Sequence, residues 1–372
     1  MSIPRRSTRV VTVRHLTIGG GAPVSIRSMT KTDTADVAAT VQQIRALATA
    51  GCEIVRVAVP TIEASKALAE IRRECDKVPL VADIHFHPQF ALAAIEAGFD
   101  KIRWNPGNIR DPKKVQEVVE RAKERRVPIR VGVNVGSLDP ECEKAHPDDL
   151  VEAIVQSALK SVRLMEGFNF NQIVISLKSS DVIQMIRAYR RMAALCDYPF
   201  HLGVTEAGLL EASTVKSSIG IGSLLAEGIG DTIRVSITGD PVEEVKVAQR
   251  ILSSLELRRF ETNVIACPSC GRCQIDVVSI AEEVKRRVGE LAVREPRCQD
   301  LTVAVMGCVV NGPGESTHAD VGMAGGGGVG IIYRKGHVVR RVAEASVVDA
   351  LLDEIQLVLR NEAPVSLEPA SS

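Results

Sequence analysis

The chain has 372 residues, with 46 basic and 46 acidic side chains and no formal net charge. That balance excludes a basic nucleic-acid-binding stripe as the main design, and the apolar runs fall short of the ~20 residues that a membrane-spanning helix needs. The basic N-terminus lacks the apolar core of a signal peptide. We therefore expect a cytoplasmic protein with no nucleic-acid or membrane partner.

Strand-like and helix-like segments alternate from about residue 23 to residue 257. The predicted strands are 24–29, 53–59, 80–84, 101–104, 129–134, 172–177, 201–205 and 232–237. Eight such βα units over roughly 235 residues predict an α/β fold, a (β/α)8 TIM-type barrel. The alternative is a doubly wound open sheet, but no Gly-x-Gly-x-x-Gly follows the first strand.

The segments that flank this pattern have their own predictions. Residues 8–22 are expected to form a hairpin that closes the bottom of the barrel, and Asp111-Pro112 and Asp240-Pro241 predict helix starts. Beyond residue 258 a helix near 277–288, strands at 301–305 and 329–333, and a helix at 345–359 predict a small α+β domain. The glycine run 325–328 is expected to form a flexible turn, since it lacks the Lys-Ser/Thr of a phosphate loop. The predicted domains are thus a substrate-binding barrel over 1–258, an α+β domain over 259–360 and a flexible tail over 361–372.

Functional residues of a barrel lie at the C-terminal ends of its strands. Five cations occupy such positions here: Arg56, Arg103, Arg130, Lys178 and Arg234. They would repel one another unless an anion lay between them, and guanidinium groups match phosphate oxygens well. Any single arginine could instead pair with a carboxylate at the rim, but the only strand-end acids that the pattern offers are Asp83 and Glu206. The sequence therefore predicts a phosphate or diphosphate substrate.

The segment Asp83-Ile-His85-Phe-His87 permits another interpretation, because two histidines two residues apart can share one face of a strand end and bind a metal. Barrel hydrolases of that kind also need ligands from later strands, where this chain has Asn134 and Lys178. A hydrogen-bonding role for His85 is favoured over a metal site.

Nine cysteines are many for a reduced compartment, and five of them fall within 42 residues. The four scattered ones, Cys52, Cys75, Cys142 and Cys196, are expected to be small buried hydrophobic residues. The spacing Cys267-x-x-Cys270-x-x-Cys273, together with Cys308, favours a four-thiolate iron–sulfur cluster. A zinc ribbon is the alternative, although it usually needs a second Cys-x-x-Cys pair.

Several motifs together carry a family resemblance over nearly the whole chain. They are Arg27-Ser-Met-Thr30, Val81-Ala-Asp-Ile-His-Phe86, Asn105-Pro-Gly-Asn108, Gly132-Val-Asn-Val-Gly-Ser137, His201-Leu-Gly-Val-Thr-Glu206, Gly228-Ile-Gly-Asp-Thr-Ile-Arg-Val-Ser236, Cys267-Pro-Ser-Cys270 and Gly307-Cys-Val-Val-Asn-Gly-Pro-Gly-Glu315. On these motifs the chain resembles the 4-hydroxy-3-methylbut-2-en-1-yl diphosphate synthase family, in its two-domain bacterial form.

The resemblance implies a site as well as a fold. It implies a [4Fe-4S] cluster held by Cys267, Cys270, Cys308 and Glu315, which replaces Cys273 in the set that spacing favours. It also implies a diphosphate-binding set, which consists of Arg56, His85, Arg103, Asn105, Arg130, Asn134, Lys178, Thr205, Arg234 and Ser236, and a role for Glu206 as proton donor. Cys273 departs from the usual family pattern and is either a spectator or an alternative ligand.

The resemblance further implies the reaction and the partners. The expected activity is the two-electron reduction of 2-C-methyl-D-erythritol 2,4-cyclodiphosphate to 4-hydroxy-3-methylbut-2-enyl diphosphate in isoprenoid biosynthesis, with flavodoxin or ferredoxin as electron donor. It implies a homodimer in which each site is shared between subunits. The alternative from another class is a non-redox barrel that binds a phosphorylated metabolite and carries a structural zinc.

Overall fold

The computed structural model describes residues 3–85, 87–104, 111–308 and 312–363. The chain forms two compact units, Met1–Arg258 and Arg259–Ser372. Asn105 and most of the predicted tail lie outside the described residues. None of the described helices combines the length and the apolar character that are needed to cross a membrane.

The first unit is the predicted barrel. Its strands are β1 (Val11–Val13), β2 (Leu16–Ile18), β3 (Ser25–Met29), β4 (Ile54–Ala58), β5 (Leu80–Asp83), β6 (Lys101–Trp104), β7 (Ile129–Asn134), β8 (Ile173–Lys178), β9 (His201–Leu202) and β10 (Thr232–Ile233). Eight of them form one sheet in the order β8-β7-β6-β5-β4-β3-β10-β9. A parallel bridge between Ile175 and Phe200 joins its two ends and closes the barrel.

Helices connect the strands and cover the barrel. They are α1 (Val37–Thr49), α2 (Ile62–Glu74), α3 (Pro88–Glu96), α4 (Pro112–Glu124), α5 (Pro140–Ala145), α6 (Leu150–Gly167), α7 (Val182–Ala193), α8 (Leu210–Ala226) and α9 (Pro241–Ser254). Both predicted helix starts are confirmed: the Asp111 side chain accepts a hydrogen bond from Lys113 N at 3.0 Å, and Asp240 accepts one from Val242 N at 2.9 Å. These caps satisfy backbone donors that a helix start leaves unpaired.

The predicted hairpin is also confirmed. Strands β1 and β2 pair antiparallel, and Val11, Val13 and Ile18 form one buried apolar cluster with Ile54, Val81 and Val174 from the barrel strands. Those three barrel residues stand at or next to the first positions of their strands. The hairpin therefore forms the floor of the barrel, at the end opposite the strand C-termini.

Strands β9 and β10 are shorter than predicted, with two residues each instead of five and six. Beyond them the two segments approach closely, because a Cβ at Gly203 would lie only 2.6 Å from the Arg234 carbonyl oxygen. A glycine permits such an approach where a pleated pair of ordinary residues would not. The sequence pattern shows the extended segments but not where their regular pairing stops.

The second unit contains a mixed five-stranded sheet. Its elements are β11 (Asn263–Ala266), α10 (Val277–Arg294), β12 (Thr302–Met306), α11 (Gly312–Ser316), β13 (Val321–Gly326), β14 (Val329–Arg334), β15 (His337–Ala343) and α12 (Val347–Leu359). Strands β11, β12 and β13 run parallel, and β13, β14 and β15 are antiparallel neighbours. Helices α10 and α12 cover the sheet through one buried cluster that includes Val284, Val288, Leu351 and Ile355.

Three strands of this sheet, β11, β13 and β15, were not predicted. Strand β13 reads Val-Gly-Met-Ala-Gly-Gly, which has a low intrinsic preference for strand. Gly325 and Gly326 end that strand, while Gly327 and Gly328 have positive φ angles of 62° and 77° and form the hairpin turn to β14. The predicted turn is thus confirmed for half of the glycine run, and the other half belongs to a strand.

Candidate functional site

The predicted polar residues of the barrel lie on adjacent strands. The register of the sheet places Asp83 opposite Arg103, Arg103 opposite Arg130, and Asn134 opposite Lys178. Residues at equivalent positions of neighbouring strands point to the same side of the sheet. These side chains therefore line the inside of the barrel. Asp83, Arg103, Asn134 and Lys178 lie towards the C-terminal ends of their strands, whereas Arg130, which was predicted at a strand end, is the second residue of β7.

Asp83 forms ion pairs with two of the predicted arginines. Its carboxylate lies 3.6 Å from Arg56 Nε and 3.4 Å from Arg103 Nη1, and all three side chains are buried. Burial alone would raise the pKa of Asp83, but the two guanidinium groups outweigh it and hold that pKa well below its usual value. Burial also lowers the pKa of Arg56 to about 10. These ion pairs are loose, and Arg103 Nε and Nη1 keep no hydrogen-bond partner among the described residues.

A third acid, Glu244 at the start of α9, was missed and corrects the expectation that Asp83 and Glu206 alone balance the cations. The carboxylate of Glu244 is fully buried and accepts hydrogen bonds from Arg234 Nε at 3.1 Å and Nη2 at 3.2 Å. Ser28 Oγ also donates to it at 2.7 Å. An acid among the apolar positions of a helix was the signal, since α9 otherwise buries Val245, Ala248 and Leu252 on that side.

Lys178, by contrast, has no carboxylate partner among the described residues. Its side chain is buried, and its pKa is lowered by burial and by the neighbouring guanidinium groups, Arg234 first. A Cβ at Gly203 would lie 3.3 Å from its Nζ, so the glycine leaves room for the ammonium group. An anionic ligand would supply the missing counter-charge.

The remaining predicted residues lie around this group. Asn134, Thr205, Arg234 and Ser236 are partly exposed at or just beyond the strand ends, and His85 and Glu206 are exposed. Glu206 has a φ of 52°, which is uncommon for a residue other than glycine. Such backbone strain is frequent at functional sites.

Sequence reasoning also missed basic residues deeper in the barrel. Arg27, Lys101 and His201 are 0–1% exposed. Period-two alternation along β3 and β6 could have found Arg27 and Lys101, because Ser25 and Arg27 share one face, and Lys101 shares a face with Arg103. Arg27 is the middle residue of its strand, and Lys101 and His201 are the first residues of theirs, so none is at a C-terminal strand end, where barrel sites are expected.

Gly132 supports a prediction about the geometry of Arg103. A Cβ at Gly132 would lie 2.8 Å from Arg103 Nε, so we expect Gly132→Ala to displace that guanidinium while costing little stability, since a long side chain can move. The loss of one charge-assisted hydrogen bond to phosphate should raise the Michaelis constant for substrate roughly tenfold. Gly136→Ala is the matched control, because its Cβ would meet nothing within 4 Å. Equal Michaelis constants in the two variants would show that the position of Arg103 does not matter for binding.

The cysteine cluster lies at the ends of two neighbouring parallel strands. Cys267 directly follows β11, and Cys308 follows β12 after one glycine. The backbone N–H of Cys267 donates to Val305 O at 3.1 Å, and the N–H of Gly307 donates to Cys267 Sγ at 3.2 Å. The parallel pairing thus brings cysteines that are 41 positions apart in the sequence to one edge of the sheet.

Cys273 belongs to the same neighbourhood. A Cβ at Gly307 would overlap Cys273 Sγ and would lie 3.3 Å from Cys267 Sγ, so both sulfur atoms face the same glycine. The Cys273 thiol donates to Ile275 O at 3.2 Å. Cys270 is exposed on the turn between them, where its carbonyl accepts from Cys273 N at 2.8 Å.

Glu315 is exposed on the short helix α11, seven residues after Cys308. Among the described residues no three histidine, cysteine or acidic side chains are already arranged as a metal site. The donor set nevertheless fits an iron–sulfur cluster, since soft thiolates at a glycine-lined edge suit iron and sulfide.

Comparison with known proteins gives two family matches that together span most of the chain. The model described as GcpE TIM-barrel domain matches residues 8–249. The model described as GcpE protein C-terminal domain matches residues 263–357.

Individual proteins are similar over nearly their whole length. Proteins named 4-hydroxy-3-methylbut-2-en-1-yl diphosphate synthase (flavodoxin) include one from Geobacter sulfurreducens, which is 51% identical over 355 residues that cover 95% of this chain and 99% of that protein. The protein of that name from Symbiobacterium thermophilum is 54% identical over 354 residues, which cover 95% of this chain and 94% of that protein.

Proposed function

Because the chain belongs to the GcpE family, we propose that its barrel holds the substrate diphosphate and that the cysteines of its second unit hold an iron–sulfur cluster. The chain thus belongs to the 4-hydroxy-3-methylbut-2-en-1-yl diphosphate synthase family and is an oxidoreductase of isoprenoid biosynthesis. It reduces 2-C-methyl-D-erythritol 2,4-cyclodiphosphate by two electrons, with ring opening and loss of water.

The observation that carries the proposal for the barrel is its excess of buried cations over acids. Arg56, Arg103 and Arg234 share the carboxylates of Asp83 and Glu244, while Lys178 shares neither. The two phosphates of the substrate would supply the missing negative charge and would accept the hydrogen bonds that Arg103 leaves unmade. The same cations would stabilise charge that develops on the diphosphate as the ring bond to carbon breaks. On the family resemblance we assign further residues to the diphosphate-binding site: His85, Asn105, Arg130, Asn134, Thr205 and Ser236.

Two variants test this assignment. Arg130→Ala or Arg234→Ala should raise the Michaelis constant about tenfold to a hundredfold, because one charge-assisted bond to phosphate is worth roughly 1.5–3 kcal/mol. The visible spectrum should not change, since neither residue lies in the second unit. Unchanged Michaelis constants in both variants would contradict the anion site.

In the second unit we propose Cys267, Cys270, Cys308 and Glu315 as ligands of a [4Fe-4S] cluster. A bound cluster of this kind supplies electrons one at a time. Cys267 and Cys308 lie at the ends of neighbouring strands, and the Gly307 N–H donates to the Cys267 sulfur. A carboxylate oxygen is a harder and less tightly held ligand for iron than sulfur, so Glu315 would leave one iron able to exchange its ligand.

Glu206 is the proposed proton donor to the departing hydroxyl group. The proposal is supported by its position four residues after β9, by its exposed side chain and by its positive φ angle. For the electron donor we propose flavodoxin, which the names of the relatives print. We further propose a homodimer in which the cluster of one subunit serves the barrel of the other.

Metal analysis separates this proposal from a phosphate-binding barrel with a structural zinc. Protein purified without oxygen should contain about four iron and four sulfide per chain and should absorb broadly in the visible range. One zinc per chain, without sulfide, would favour the zinc alternative.

A further inference from the structure

A second set of basic side chains lies directly above the hairpin floor of the barrel. In the sheet register Arg27 is opposite Ile54, Lys101 is opposite Val81, and Arg130 is opposite Val174. Those three aliphatic residues are the barrel members of the cluster that packs on the hairpin. Each of these cations is therefore next to an apolar floor residue on a neighbouring strand. We call Arg27, Lys101 and Arg130 the inner cations.

Buried polar side chains lie beside the inner cations, on β9, on β10 and at the start of β3. Thr232 of β10 is opposite Ser25 on one side and opposite His201 on the other. The Ser25 and Thr232 hydroxyl groups and both ring nitrogens of His201 are buried without a hydrogen-bond partner in the described part of the chain. Hydroxyl groups can donate to an anion or to water, so this part of the wall is polar.

The inner cations lack partners as well. None of the three nitrogens of the Arg27 guanidinium, nor Lys101 Nζ, nor Nε and Nη1 of Arg130, makes a hydrogen bond within the described residues. All three side chains are 0–1% exposed. A buried polar group without a partner is costly, and a buried unpaired charge much more so.

Neutralisation by loss of protons does not remove the problem. Burial and the neighbouring guanidinium groups lower the pKa of Lys101, but arginine stays charged in proteins. Arg27 and Arg130 therefore keep two positive charges above an apolar floor. Three acids are buried in the described part of the barrel, and none is free for the inner cations: Asp83 and Glu244 pair with Arg56, Arg103 and Arg234, and Asp231 pairs with Arg5.

The inner layer is distinct from the substrate site in depth. Lys101 precedes Arg103 by two residues on β6, and Thr232 of β10 precedes Arg234 by two residues. Two residues of a strand correspond to about 6.5 Å. The inner layer therefore lies one layer of side chains below the substrate site at the C-terminal end of the barrel. Arg130 is the residue that both layers share.

We propose that a small monovalent inorganic anion such as chloride binds inside the barrel, between Arg27, Lys101 and Arg130, below the substrate diphosphate. The anion accepts hydrogen bonds from the inner cations and from the nearby hydroxyl groups. Its negative charge offsets the positive charge of the inner cations, which the apolar floor residues cannot do. A filled inner site also holds Arg130 in place from below. This inference does not depend on the identity of the substrate.

Bromide, which scatters anomalously and replaces chloride, is the probe in the first experiment. Crystals of the full chain soaked in bromide should show an anomalous peak on the barrel axis within hydrogen-bond reach of Arg27 and Lys101. The peak should be absent in Lys101→Met. It should be present in Arg234→Gln, the control that alters only the substrate site. A bromide peak only among Arg56, Lys178 and Arg234, or ordered water alone at the inner layer, would overturn the proposal.

Thermal unfolding provides a second test that needs no crystal. In gluconate buffer of constant ionic strength, chloride should raise the unfolding temperature of the first unit in a saturable way, by about 5 °C at 100 times its dissociation constant. Lys101→Met should abolish this rise and Arg234→Gln should retain it. If Lys101→Met does not fold, the wild-type titration and the bromide peak still decide the question. A wild-type unfolding temperature that does not respond to chloride would contradict the inner site.

Discussion

Replacing Cys308 with alanine is expected to remove most of the iron and nearly all of the activity, whereas Glu315→Cys should keep the iron and lose most of the activity. Cys308 follows β12 beside Cys267, so its loss removes a thiolate from the paired strand ends where we propose that the cluster is held. Four thiolates instead would hold every iron of the cluster tightly, and ligand exchange would become slow. We expect a fall in turnover of at least a hundredfold in Glu315→Cys, measured beside iron and sulfide content.

Cys273→Ser is the matched control for this pair. Cys273 faces the same glycine as Cys267, so its removal tests whether proximity alone makes a ligand. Normal iron content and activity in Cys273→Ser would support the set of three cysteines and one glutamate. Full activity in Glu315→Cys at normal iron content would remove Glu315 from the mechanism and would make Cys273 the candidate fourth ligand.

Two variants, one defective in the barrel and one in the cluster, are expected to restore activity when they are combined in one dimer and assayed below the wild-type Michaelis constant. Arg103→Ala should damage only the barrel, and Cys308→Ala should damage only the cluster, because the two residues belong to different units. If one subunit's cluster serves the other subunit's barrel, a heterodimer contains one site with both halves intact. Co-expressed and purified heterodimers should then recover up to about half of the wild-type activity.

Each variant expressed alone is the control for this experiment, and both should stay near the background rate when the substrate concentration is well below the wild-type Michaelis constant. A heterodimer that carries both substitutions on the same chain should leave no intact site if the sites are shared between subunits, since its two defects then fall in different sites. Activity in the heterodimer with both substitutions on one chain, and no activity in the heterodimer with one substitution on each chain, would indicate a site built within one chain.

The barrel could be predicted because its elements depend on local patterns. Alternating apolar segments gave β4, β6 and β7 nearly to the residue, and Asp111 and Asp240 mark helix starts through the chemistry of their own side chains. The hairpin floor followed from its position before the first strand. These features need no knowledge of what each segment meets in the fold.

Features that depend on distant partners could not be predicted in this way. Glu244 lies on a helix, and only the fold shows that it meets Arg234 and Ser28. Arg27 is the middle residue of β3 and Lys101 is the first residue of β6, so neither is at the C-terminal strand end where a barrel site is expected. Their burial without partners is visible only when the whole barrel is assembled.

Part of the cysteine site could be predicted from the sequence, and part could not. Spacing alone grouped Cys267 with Cys273, and the structure does bring their sulfur atoms to the same glycine. The neighbourhood of Cys267 and Cys308 depends on the pairing of β11 with β12, and β11 was not recognised in the sequence. The family resemblance, rather than spacing, supplied Glu315, because an exposed glutamate on a short helix has no local signal of metal binding.

The most direct test of the account is turnover of the cyclic diphosphate by the intact chain. Protein purified without oxygen, with its iron and sulfide measured, should be incubated with 2-C-methyl-D-erythritol 2,4-cyclodiphosphate and chemically reduced flavodoxin. We predict formation of 4-hydroxy-3-methylbut-2-enyl diphosphate, with two electrons consumed for each product molecule. Chain that carries a full complement of iron and sulfide but leaves the substrate unchanged would contradict the account.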